Sequence, residues 1–463
     1  MAYTPIDKGG NFFNTKLYTG NAGTNNITGV GFKPDWLWLK KRNASANNFL
    51  FDVIRGVSKE LNSNNTEAEA SPANYLASFN SDGFTIGSDS DINGNNDTFA
   101  SWNWKGAGAN PAKTYVVKVV SDGGNKYRLD DFAANAVTLE LSEGGTFTFD
   151  QSDSSNNGHP LRFSTTSNGT HAGGSIYTTG VVVSGTPGQA GAKTTITVAA
   201  SAPTLYYFCT VHSGMGGQAN TPVTNSFTNL DGSIQSNISP NTISKFSVVS
   251  YTGNGTGNST IGHGLGATPK FIIVKNRTTT QDWGTLSPTF VSASDSNILY
   301  LSKNDAQADG SNVWGTSAAF NNTTFTVGDW TGSNQSNSNF IAYCFSDVQG
   351  FSKIGSYIGN GNADGPMIYT GFKPAWIMIK RAIGGTDNWV MFDNKRSPFN
   401  EVNENLAANT DSSTNTGIKI DMLSNGFKCR VAEGNTNVAG NTYIYMAFGQ
   451  TLVGTNNIPN NAR

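Results

Sequence analysis

The sequence predicts an all-β protein built from repeats. Three observations carry this. Gly and Asn are abundant while aromatics still reach 11% of residues, a mixture that suits sheets joined by tight turns rather than a disordered polymer. Short apolar runs recur between Gly/Asn/Asp/Ser clusters, with little helical periodicity. One strand pattern occurs three times along the chain.

That pattern is a Pro-initiated strand, apolar on both faces and ending in cations. It reads Gly31-Phe-Lys-Pro-Asp-Trp-Leu-Trp-Leu-Lys-Lys-Arg42 first and Gly371-Phe-Lys-Pro-Ala-Trp-Ile-Met-Ile-Lys-Arg381 last, with a looser copy at Gly266–Arg277. Proline suits the start of a strand, where no ladder donor is needed. Each copy follows a Tyr-x-Gly-Asn turn at Tyr18, Tyr251 or Tyr357, and closes with an aromatic strand at Phe99–Trp104, Phe340–Phe345 or Tyr443–Phe448. The repeats therefore span about 12–106, 244–349 and 350–450, each a β-sandwich or jelly-roll-like unit. Trp36, Phe271 and Trp376 are expected at one equivalent core position. The best helical candidate, Pro72–Ala77, is short.

Residues 113–222 differ in composition and form a further β domain inserted after the first repeat. Its strands are expected at Thr114–Val120, Ala136–Leu141, Gly145–Asp150, Gly180–Val183, Thr194–Val198 and Thr204–Cys209, most with clean apolar/polar alternation. Residues 223–243 are rich in Ser, Asn and Thr and read as a linker or docking strap.

Charge and motifs exclude several function classes. Charged residues make up 13% of the chain, the formal net charge is −2, and no basic stripe appears, so nucleic-acid binding is not expected. No run is long and apolar enough to span a bilayer, and Met1–Pro5 do not open a signal peptide. Three widely spaced cysteines, Cys209, Cys344 and Cys429, do not suggest a disulfide framework; Cys344 lies in an apolar strand and reads as a small core residue. There is no nucleophile elbow, no phosphate loop and no strand-borne carboxylate pair; Asp89, Asp91, Asp130 and Asp131 read as turn residues. An enzyme is not expected.

One cluster carries chemistry. Cys209-Thr-Val-His212-Ser-Gly-Met215 places a thiol, an imidazole and a thioether on a turn just after a strand. These are the donors of a type 1 copper site, which needs a second imidazole; His159, in Gly158-His-Pro-Leu-Arg-Phe163, is the candidate. His171 reads as a solvated loop residue and His263 as a turn residue that hydrogen-bonds locally.

On these residues the domain resembles a cupredoxin, a Greek-key β-sandwich, with Cys209-x2-His212-x2-Met215 spaced as in the amicyanin-type ligand loop. The resemblance implies a copper set of His159, Cys209, His212 and Met215, the last axial. The segment 164–193 is longer and more polar than that family leads one to expect.

The repeats, on Val30–Trp36, Phe51–Gly56, Ser101–Lys105, Tyr251–Gly255, Gly262–Gly266, Tyr369–Trp376 and Thr442–Phe448, resemble an uncharacterised repeat family of marine tailed-phage virion proteins, notably of phages infecting cyanobacteria. This implies a virion component, tail-fibre-like or capsid-decorating, made in a host cytoplasm. Expected partners are further copies of the chain in a homo-oligomer, most simply a trimer, other virion proteins, and a host surface glycan. Trp283, Trp314 and Trp330 are candidates for such a contact, or else core residues. The alternatives are a copper-binding electron-transfer protein that uses the repeats as scaffold, and a secreted lectin-like binder.

Overall fold

The computed structural model describes residues 4–107, 110–286, 297–315 and 320–450. The protein is all-β: among the described residues the α-helical segments are single turns at Ser90–Asn93, Ser311–Trp314 and Thr331–Asn334.

Each repeat contributes one large sheet. In the first, the order is Phe13–Thr19, Thr98–Trp104, Trp36–Lys41, Asn48–Asp52, Leu61–Asn62; in the third it is Ser352–Ile358, Thr442–Gly449, Pro374–Ile383, Val390–Asp393, Leu406–Ala407. The second follows the same order from Phe246–Thr252 through Asn339–Phe345, Phe271–Asn276 and Gly284–Leu286 to Asn297–Tyr300. Register makes the equivalence concrete. Trp36 pairs with Trp104, Phe271 with Phe345, and Trp376 with Phe448. A smaller sheet lies over each large one, for example Asn25–Thr28, Gly83–Ile86 and Leu76–Asn80 in the first repeat.

The strand at Trp36–Lys41 is apolar at successive positions because both faces of its sheet are buried. Leu37 and Leu39 pack under the small sheet with Phe84 and Ile86. Trp36 and Trp38 point the other way, into a core shared with Phe271, Tyr343 and Trp376 of the other repeats. At its centre Trp104, Phe345 and Phe448, which hold the same register position in the three repeats, form a triangle with ring centroids 6.4, 5.7 and 6.0 Å apart. The large sheets therefore face one another around a pseudo-threefold axis, as the three walls of a prism.

The contacts between walls repeat in one rotational sense. The buried Lys40 ammonium donates to the Asp411 carbonyl of the third repeat (2.8 Å), Lys275 to the Thr66 carbonyl of the first (3.0 Å), and Lys380 to the Asn304 carbonyl of the second (2.9 Å). Burial lowers each of these lysines to about 8, and the carbonyl cages compensate the desolvated charge. A second set of clasps runs the same way. The Asn48 amide donates to Ala407 and Thr410 (3.0 and 2.8 Å), the Trp283 indole to Asn62 (2.8 Å), and the Trp389 indole to Tyr300 (3.0 Å), all onto carbonyl oxygens. A third uses buried ion pairs: Asp52, bridged to Arg55, accepts from Tyr343, and Asp393, bridged to Arg396, accepts from Trp102. One chain thus closes a ring of three head-to-tail interfaces by itself.

The inserted domain is a two-sheet sandwich. One sheet runs Asn125–Leu129, Ala112–Ser121, Thr146–Asp150, Lys193–Thr197, Val181–Ser184; the other runs Leu139–Glu140, Gln218–Asn220, Leu205–Cys209, Leu161–Ser164. Tyr115, Phe147 and Phe149 from the first meet Phe163, Leu205 and Tyr207 from the second. This core continues into the outer core of the second repeat, with the Phe147 and Phe227 ring centroids 6.3 Å apart.

Several expectations need correcting. Residues 223–243 are not a linker: Phe227–Asn229 and Ser236–Asn241 extend the second repeat's large sheet, pairing in register with one another and with Phe246–Tyr251. Their polar composition hid the buried Phe227, Leu230, Ile234 and Ile238. Pro72–Ala77 forms no helix; Leu76–Asn80 is a strand. Trp283 and Trp314 are buried and Trp330 is partly buried against the core, so none stands out as a loop contact. Asp130 and Asp131 do lie in a turn, as expected, and there they are ion-paired to Lys113 and Lys118.

Candidate metal centre

The ligand region is built by one strand pair and one turn. Leu161 pairs with Cys209 at the end of the antiparallel ladder, and Thr210 donates to the Pro160 carbonyl just beyond (3.2 Å). This register sets His159, two residues before the strand, beside Cys209. The chain then reverses. His212 directs its backbone N–H at the Cys209 sulfur (3.4 Å), and Met215 turns inward, fully buried in the same core as Cys209. Gly216 permits the return: a Cβ there would lie 1.8 Å from the Tyr207 carbonyl oxygen.

Three of the four expected ligands converge by their donor atoms. The Cys209 sulfur lies 3.9 Å from Nδ1 of His159 and 3.9 Å from Nδ1 of His212, and all three donor atoms fall within 4.8 Å of one another. The imidazole centroids are 4.5 Å apart. With a metal–sulfur bond of about 2.3 Å and metal–nitrogen bonds of about 2.0 Å, that 3.9 Å separation subtends about 130° at a single ion. The three donor atoms are close enough to one another to form one candidate ligand set. Met215 shares the buried core on the inner side, while His212 is exposed.

The surroundings fix the candidate ligand His159 in place. His159 donates its backbone N–H to Asn156 (2.8 Å), and its carbonyl accepts from the Tyr127 hydroxyl and the Gln151 amide, both at 2.8 Å. Tyr127 in turn donates its backbone N–H to the Met215 carbonyl (2.9 Å), so one tyrosine ties the His159 strand to the ligand turn. Burial, and then the neighbouring His212, hold the His159 imidazole below the usual histidine range. It is thus neutral and able to bind a metal near pH 7.

Nothing in the stretch Lys126-Tyr127-Arg128 marks the Tyr127 hydroxyl as part of the site. His171, expected to be solvated, is exposed but donates from Nε2 to the Cys209 carbonyl (2.9 Å). His263 is not part of this cluster; it is buried in the second repeat, with Nδ1 accepting from Leu265 N–H (3.1 Å) and Nε2 donating to the Asn321 carbonyl (3.2 Å). Cys344 and Cys429 are buried and free.

A family described as a domain of unknown function, DUF7483, matches residues 8–144 and 218–451. The chain belongs to this DUF7483 family. No curated protein matches the chain, and no solved structure does. The DUF7483 match skips residues 145–217, the stretch that holds His159, Cys209, His212 and Met215. The candidate ligand cluster thus lies outside the segments that define membership, although the matched flanks supply several strands of the same sandwich.

Proposed function

We propose that this DUF7483 protein is a structural protein whose closed three-repeat framework carries a copper-binding, cupredoxin-like domain. The observation that carries the metal assignment is the Cys209 sulfur placed 3.9 Å from two imidazole nitrogens on different chain segments. A thiolate and two imidazoles backed by a buried thioether favour copper over zinc, because soft donors in a trigonal set suit copper. His159, Cys209 and His212 would hold the ion, with Met215 beneath; bound there, it would supply one-electron redox chemistry. The exposure of His212 supports the second reading, electron exchange with a docked partner, since it brings the edge of the site to the surface.

The structural role is supported by the framework. Three sheets locked by buried clasps make a rigid mount, and the sequence resemblance of the repeats favours a tailed-phage virion as its setting. Other virion proteins and a host glycan are the proposed partners. The threefold closure expected of a homotrimer has a counterpart within the single chain.

Titrating the purified chain with Cu(II) tests the metal assignment. One equivalent should bind and develop a thiolate-to-copper absorption, and Cys209→Ser should remove it while the chain stays folded. A chain that ignores copper or prefers zinc contradicts the assignment. Proteomics of purified particles tests the setting; absence of the protein from them would refute it.

A further inference from the structure

We propose that the turn at residues 166–174 is a strut for the ligand loop, with Asn168 and His171 as positioning residues; this rests on the copper reading of the same site. The turn leaves the strand that follows His159 and returns to it where Tyr177 N–H bonds the Phe163 carbonyl (2.7 Å). Between those points it reaches across to both ends of the loop from Cys209 to Met215. At one end the Asn168 amide brackets the loop: its oxygen accepts from Gly214 N–H and its nitrogen donates to the Ser213 hydroxyl, both at 2.8 Å. At the other end His171 Nε2 donates to the Cys209 carbonyl at 2.9 Å.

Two local features fix the strut. Asn168 has φ +61°, a left-handed conformation that asparagine tolerates and that aims its amide at the loop. Gly169 lies flat on the Phe208 ring, and a Cβ there would come within 2.4 Å of ring carbons. The turn therefore packs on the strand that carries Cys209. The long, polar 164–193 segment acquires a purpose here: it supplies side-chain partners for a ligand loop whose own residues Val211–Gly214 are exposed and bury nothing. Outer hydrogen bonds of this kind orient ligands and set how tightly a metal is held.

The test uses the full chain. Asn168→Gly removes the amide yet keeps a backbone that glycine adopts freely, and Asn168→Asp restores an acceptor for Gly214. Without copper, amide hydrogen exchange at Gly214 should accelerate in Asn168→Gly and stay near wild type in Asn168→Asp. With copper, Asn168→Gly and His171→Ala should release the ion to a chelator about tenfold faster or more and broaden its electron paramagnetic resonance signal. His171→Gln, which keeps a donor, should behave as wild type. Unchanged exchange together with unchanged copper release in Asn168→Gly and His171→Ala overturns the strut. Faster exchange in a chain that binds no copper supports the strut and sinks the copper assignment, so the two failures are distinct.

Discussion

The framework and the inserted domain are both β structures with aromatic cores, yet they are held together differently. In the framework, what one repeat does the others do again. Lys40, Lys275 and Lys380 make the same clasp at the three seams, and Trp104, Phe345 and Phe448 meet at the centre. In the inserted domain each contact occurs once: a single tyrosine joins His159 to the ligand turn, and one asparagine brackets the loop. Repetition spreads the framework's contacts over three seams, whereas the candidate metal site is held by a few single bonds. Even the framework has a break in symmetry. Trp102 and Tyr343 donate to buried aspartates of a neighbouring repeat, but the equivalent third position is Met446, which has no donor.

The contrast can be broken first at the axis. Phe345→Ala should cost about 3–5 kcal/mol in denaturant unfolding, because the cavity opens where all three repeats meet. If a probe of the inserted domain is lost at the same denaturant concentration, the two regions unfold as one unit through their continuous core. Acid should reach the framework next. Burial pushes His263 down to about 4, below its unfolded value of about 6.5. The unfolded chain then takes the proton first, so stability is full above about pH 6.5 and drains as pH falls toward 4. The loss is on the order of 3 kcal/mol at most, and a His263→Gln variant should show a shallower acid limb in a pH series of melts.

Copper should act on the other side of the comparison. At a free concentration of a hundred times its dissociation constant, binding adds about 2.7 kcal/mol to the state that holds it. Separate probes of the inserted domain and of the framework tryptophans should show the gain mainly in the former. The smallest effect is expected at a single seam. Tyr343→Phe removes the hydroxyl that Asp52 accepts from, and a hydrogen bond to a charged group is worth about 1.5–3 kcal/mol. Arg55 still neutralises the carboxylate, so the lower end is expected. A loss at the scale of Phe345→Ala would mean that the seams are not redundant.

Much of this was legible in the sequence, for physical reasons. A strand such as Trp36-Leu37-Trp38-Leu39 declares that both its faces are buried, and the triple Pro-strand-cation pattern places Trp36, Phe271 and Trp376 at one register. What buries the second face was not legible, since Trp36 stacks on Tyr343 some three hundred residues away and alternation names a face but not its partner. The proximity of Cys209 and His212 was readable because they lie three residues apart; His159 was harder, being joined to Cys209 only by strand pairing. Asn168 and His171 stayed hidden because a polar loop has no periodicity. The strands at 227–241 hid because serine and asparagine between apolar residues look like a linker.

The most direct test of the central claim is X-ray absorption at the copper edge on the full chain loaded with one equivalent. The first shell should contain one sulfur at about 2.2–2.3 Å and two nitrogens at about 2.0 Å, and Cys209→Ser should remove the sulfur. A shell of nitrogen and oxygen alone, or one unchanged by Cys209→Ser, would contradict the account.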